Sequence, residues 1–148
     1  MTAAGRAGIP QLVAPGCYDL VDFVGWQAPP SRLAGRPSHA HNRLLTSAVL
    51  DAGERREVAR AICAKLAPAT APVALMLPTG GCNEWDRPGA DLHDAEGLAA
   101  FCDEIRASVP PNVALRELDC HINDIAFSDT AIAIVDAWLA DGTLPSPA

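Results

Sequence analysis

The segment Val73–Leu77 reads Val-Ala-Leu-Met-Leu and runs straight into Pro78-Thr79-Gly80-Gly81. Five apolar residues in succession leave no polar face, so a strand made of them must be covered on both sides. A parallel strand between two layers of helices meets that condition. Two further stretches have the same character, Ile9 to Val13 and Val113 to Leu118. Between and after them the apolar residues fall at helical spacing.

The first helical pattern runs from about Gly53 to Leu66, with Val58, Ile62 and Leu66 four residues apart and Arg55, Arg56 and Arg60 on the wet side. Asp51-x-x-Glu54 in front of it is a capping box, in which each side chain satisfies a free amide at the helix start. The second, from about Ala95 to Ala107, has Asp94 as cap, Leu98, Phe101, Cys102 and Ile105 on one face, and Pro110-Pro111 as its stop. The third, from about Asp129 to Ala140, has Ser128 as cap, Ile132, Val135 and Leu139 facing inward, and Gly142 behind it. Strand and helix alternate, so the expected fold is α/β, a three-layer Rossmann-like sandwich with a mostly parallel sheet. Residues 1–148 form one domain, since a chain this long buries roughly two thirds of its unfolded surface in a single core. A Pro/Gly-rich stretch at 25–50 is read as a long loop, with Tyr18 to Val24 as a short extra strand before it, and Leu144 to Ala148 as a frayed end.

Charge limits the partners. Eleven Lys and Arg against eighteen Asp and Glu give −7, the wrong sign for binding a nucleic-acid backbone. Lys65 is the only lysine, so a phosphate must be met by arginine, backbone amides or a metal. No apolar stretch reaches the roughly 20 residues that span a bilayer. The five cysteines are odd in number and include no Cys-x-x-Cys pair, which fits a reducing compartment; the chain is read as soluble and cytoplasmic.

Ligands of open parallel sheets sit beyond the carboxyl ends of the strands. Three segments share that edge: Pro15-Gly16-Cys17-Tyr18-Asp19, Pro78 to Asn83, and Asp119-Cys120-His121-Ile122-Asn123-Asp124. Gly80 and Gly81 let the backbone approach a ligand, or simply make a turn. His121 is a candidate acid/base with Asp119 and Asp124, or a brace of its own loop; Asp124 equally suits a helix cap. His39 and His41 lie in the long loop, where exposure is the default, and Asp94 has its cap role. A zinc set of Cys17, Cys82, Cys120 and His121 lacks the tight two-ligand knuckle such sites use, so no metal site is assigned. P-loop and dinucleotide glycine motifs are absent.

Gly8-Ile9-Pro10-Gln11, Pro15-Gly16 with Asp19, His41-Asn42, Leu77-Pro78-x-Gly80-Gly81 with Asp86, His93-Asp94 and Asp119-x-His121-Ile122-Asn123-Asp124 occur in an order similar to one family. In these elements the chain resembles the second half of the Tm-one-like ATP-binding family, named for a tomato mosaic virus resistance protein. The resemblance implies a two-part protein of facing α/β halves that commonly dimerises. Cys17, Cys82 and Cys120 depart from it, standing where small residues are more usual, as does Asn83, where serine is common.

The expectation is a ligand-binding half-domain. Its ligand is a nucleotide (ATP, with magnesium) or another small anion, held by Gly16, His41, Asn42, Gly80, Gly81, Arg87 and Asn123, with His121, Asp119 and Asp124 as catalytic candidates. Its partner is an N-terminal-half protein or a second copy. The alternatives are a non-catalytic assembly domain and a metal-assisted hydrolase of a small organic acid.

Overall fold

The computed structural model describes residues 1–145, so the last three residues of the frayed end lie outside the described residues. The chain runs α1 (Thr2–Arg6), β1 (Gln11–Val13), β2 (Leu20–Val24), a single 3-10 turn (Ser31–Leu33), β3 (Ser38–Asn42), β4 (Leu45–Val49), α2 (Ala52–Leu66), β5 (Val73–Pro78), α3 (Ala95–Ser108), β6 (Val113–Leu118) and α4 (Ile125–Ala140). β5 is the centre of a parallel sheet ordered β1-β5-β6, with Val73 in register with Gln11 on one side and Val113 on the other. All six of its residues are buried, as its apolar run requires.

One face of this sheet carries the core: Val73, Leu75 and Leu77 with Ala59, Cys63 and Leu66 of α2 and Phe101, Cys102 and Ile105 of α3. Tyr18 stacks on Phe101 with ring centroids 3.4 Å apart. On the other face, Ile134, Ala137 and Trp138 of α4 stand over Ala74, Ala114 and Arg116 across a gap of about 170 Å³. The fold is therefore mixed α/β, with helices on both faces of the parallel sheet.

The structure differs from the sequence reading at the start of the chain, where α1 was not expected and β1 begins at Gln11 rather than at Ile9, which is 52% exposed, and in three places nearer the site. The stretch 25–50 is not one long loop: β3 and β4 lie within it and join β2 in an antiparallel sheet ordered β2-β4-β3. The strand β3, Ser-His-Ala-His-Asn, is polar on both faces and held by backbone pairing to β4, so hydrophobic alternation cannot reveal it. Secondly, α4 starts four residues before the expected Asp129, with Asp124 at its N-cap, while Ser128 donates its hydroxyl to the Ile125 carbonyl inside the first turn. Ile132, expected inward, is 58% exposed because it is the Ile134, Ala137 and Trp138 side of α4 that is turned to the gap over the sheet. Thirdly, Arg55 is not on the wet side of α2 but is 2% exposed, for a reason found in the site.

Candidate functional site

The loops that follow β1, β5 and β6 meet at the carboxyl edge of the parallel sheet and are joined by a buried polar network. Asp19, from the β1–β2 turn, accepts the Cys82 thiol at 3.2 Å and the Asn83 side-chain amide at 2.9 Å. Arg55 approaches the same carboxylate at 3.9 Å, donates to the Leu50 carbonyl and to Asp94, each at 2.9 Å, and so ties α2 to the start of α3. Two hydrogen-bond acceptors and a second carboxylate at ion-pair distance, on three segments, are what keep a guanidinium inside. Gly97 makes room for it, since a β-carbon there would lie 2.6 Å from Arg55 Cζ.

Asp86 continues the network. Its Oδ2 accepts the backbone amides of Cys82 at 2.6 Å and Asn83 at 3.2 Å, and its Oδ1 lies 2.8 Å from His121 Nε2. His121 Nε2 is also 2.9 Å from the Asn83 carbonyl, and its Nδ1 accepts the Asn123 backbone amide at 3.0 Å. Both partners of Nε2 are acceptors and the partner of Nδ1 is an N–H, which assigns the neutral Nε2–H tautomer. The ring is 2% exposed and both nitrogens are engaged, so His121 here acts as a brace between two loops. Gly80 and Gly81 serve the same closure: β-carbons on them would lie 2.8 Å from the Cys120 carbonyl carbon and 2.5 Å from His121 Cδ2.

Outside this buried layer is an exposed rim. Arg87 donates to Asp124 Oδ1 at 2.8 Å, and Asp124 Oδ2 accepts the His121 amide at 2.8 Å. The Arg87 guanidinium first, and that backbone amide second, hold the Asp124 carboxyl below the usual carboxylate range. Asn123 donates to Glu84 at 3.0 Å, and Asp119 is exposed beside Thr79, 3.5 Å from its hydroxyl. The edge thus brings together Gly16, Gly80, Gly81, Arg87, His121, Asn123 and Asp124, with Asp119 at its border.

His41 lies apart from that rim, in a cleft of about 190 Å³ shared with Cys17, Asp22, Ser47 and Trp85. Trp85 is stacked on His39 at 4.4 Å and meets His41 edge-on at 5.4 Å. Asn42 turns its side chain onto the Leu44 and Leu45 amides at 2.8 and 3.0 Å, shaping the β3–β4 hairpin. A larger cavity of about 450 Å³ opens between the starts of α2 and α3, where Arg36 pairs with Glu54 and Asp51. Both caps bordering it, Asp51 and Asp94, were legible as caps, but their nearness to each other was not.

The thiols are poorly suited to nucleophilic attack. Burial first, and the neighbouring carboxylates after it, push Cys17, Cys82 and Cys120 up, Cys82 most strongly. The zinc set of Cys17, Cys82, Cys120 and His121 is not gathered. Among the described residues, the one group of three or more such side chains with ligand atoms within 4.8 Å of one another is Asp19, Cys82 and Asp86. Asp19 and Asn83 were visible in sequence as members of the strand-end segments and Asp86 as a pattern residue, but their bonding was not, and Arg55 was read as a residue of the wet side of its helix.

An α/β domain with a cross-linked strand-end edge and an added antiparallel sheet is the class that these features define. Residues 1–139 match the C-terminal domain of the Uncharacterised protein family UPF0261, and the chain belongs to that family. It is 51% identical over 142 residues to a UPF0261 protein of Brucella melitensis, covering 96% of this chain and 34% of that protein. A UPF0261 protein of Mesorhizobium japonicum is 31% identical over 136 residues, covering 90% and 34%. The ToMV resistance protein Tm-1 of Solanum lycopersicum is 30% identical over 133 residues, covering 88% and 17%. The chain thus spans about a third of the length of the bacterial relatives it matches.

Proposed function

We propose that this domain supplies one wall of a small-ligand site at the carboxyl edge of its parallel sheet, the remainder of a longer protein supplying the other. The observation that carries the reading is the convergence of three strand-end loops on one braced layer, with Arg87, Asn123, Asp119 and Asp124 left on its outer rim. A rigid base under polar groups of fixed position is what ligand recognition needs. With carboxylates outnumbering Arg87 there, an anion would arrive with a divalent cation, and ATP with magnesium is the form that the family resemblance implies. Arg87 would take the phosphate, Asp119 and Asp124 the cation, and Asn123 a polar edge. His121 would act through Asp86 and the Asn123 backbone, as a positioning residue.

Calorimetry with magnesium and ATP, on this chain and on a full-length UPF0261 protein, tests it. The expected result is binding that weakens by about tenfold or more in an Arg87→Ala, Asn123→Ala double variant, the loss of two polar contacts. Binding indifferent to that variant, or none in either protein, overturns the assignment.

A second reading, an assembly domain, is favoured by α4, on which Ile125 is 78% and Ile132 58% exposed. Sedimentation showing an Ile132-dependent dimer would support it. Among the described residues no helix is long and apolar enough to cross a membrane. The five free cysteines support a reducing compartment such as the cytoplasm.

A further inference from the structure

We propose that the 190 Å³ cleft between the antiparallel sheet and the loop after β5 binds a small alkylammonium ligand, independently of the rim site. Asp22 and Ser47 stand directly opposite each other on β2 and β4, on the face that the cleft occupies. The Ser47 hydroxyl donates to Asp22 Oδ1 at 2.6 Å. Its one proton is thereby spent, so Ser47 Oγ and Asp22 Oδ2 meet an incoming molecule as acceptors. Two fixed acceptors, one of them anionic, call for a ligand rich in donors, and an ammonium group brings three N–H bonds and the opposite charge.

The electrostatic surroundings agree. The cleft lining contains no Arg or Lys. Besides burial, it is the carboxylates of Asp19, Asp86 and Asp22 that push the Cys17 thiol up, the response of an acid in a negative field. A carboxylate or phosphate would be repelled there. Of the other lining residues, Leu20 and Leu45 offer aliphatic surface to an alkyl body and Trp85 an aromatic one that attracts cations, while His41, edge-on to Trp85, is the one basic side chain in the wall. Trp85 is also held in place, stacked on His39 and donating its amide to Asn83 Oδ1 at 2.7 Å, so little order remains to be imposed on binding.

The test is calorimetry of this chain at about pH 8, where an alkylamine keeps its proton, with n-butylamine, 1-butanol and butyrate as cation, neutral molecule and anion of one shape. The expected result is that the amine binds, the alcohol binds about tenfold more weakly or less, and butyrate gives no heat. Asp22→Asn, which keeps the shape and removes the charge, should weaken the amine by about tenfold. Should that variant fail to fold, the ligand series on the unaltered chain still decides. Equal binding of alcohol or butyrate, no binding of the amine, or amine binding unchanged in a folded Asp22→Asn protein would each overturn the proposal. So would zinc binding lost in Cys17→Ala with no amine bound.

Discussion

His121 and Asp86 are bonded side chain to side chain, Nε2 to Oδ1 at 2.8 Å, and both are buried. They come from loops 35 residues apart and close the carboxyl edge of the sheet around the Asn83 carbonyl. We predict that His121→Ala costs about 3 kcal/mol, since it leaves a buried carboxylate oxygen, a carbonyl and the Asn123 amide without partners. Urea unfolding measures this, and an unchanged midpoint would remove the brace from the account.

Gly97 lies within the first turn of α3, where replacing glycine by alanine ordinarily gains stability. Here the added methyl would sit 2.6 Å from Cζ and 2.7 Å from Nη1 of the buried Arg55. Gly97→Ala should therefore destabilise, by about 2 kcal/mol, with the thermal midpoint as readout. A stabilised variant would show that Arg55 moves aside at no cost.

Several carboxylates are held below their ordinary range by arginines: Asp124 by Arg87, Glu54 by Arg36, Glu104 by Arg60 and Glu117 by Arg106. A group whose folded value is depressed stabilises the fold above its unfolded value and loses that contribution as pH falls through the folded one. Stability should accordingly hold from neutrality down to about pH 5 and fall below about pH 4. Arg87→Ala should lie below the unaltered protein at neutrality and converge with it in acid, as read from unfolding midpoints across that range. Parallel acid limbs would disconnect Asp124 from this behaviour.

Cys17 is exposed and Cys120 half-buried, whereas Cys63, Cys82 and Cys102 are buried. Burial raises Cys102 to about 11, with smaller and opposing influences from Arg106 and nearby carboxylates. In the folded protein a thiol reagent at neutral pH should label Cys17 and Cys120, both more slowly than free cysteine because their thiolate fractions are suppressed. All five should react after unfolding. Fast labelling of Cys17 would contradict the negative field assigned to the cleft.

Several features were settled by residues close together in the chain. Val73–Leu77 could only be a covered strand, Asp51 and Glu54 make their capping box within one turn, and Asp94 caps α3 by accepting the Gly97 amide. The meeting of three loops at one edge also followed, because parallel strands of one sheet end on the same side. Tertiary structure decided the rest. Helical periodicity places Arg55 on the wet side of α2. It is inside because Asp19, 36 positions earlier, and Asp94, 39 positions later, converge on it. The pairing of β3 lies in backbone hydrogen bonds, which carry no side-chain signature, and the cleft exists only because that sheet folds back beneath Trp85. Local signals are written in neighbouring residues, whereas the cost of burying a charge or a histidine is offset by partners that only the folded chain brings within bonding distance.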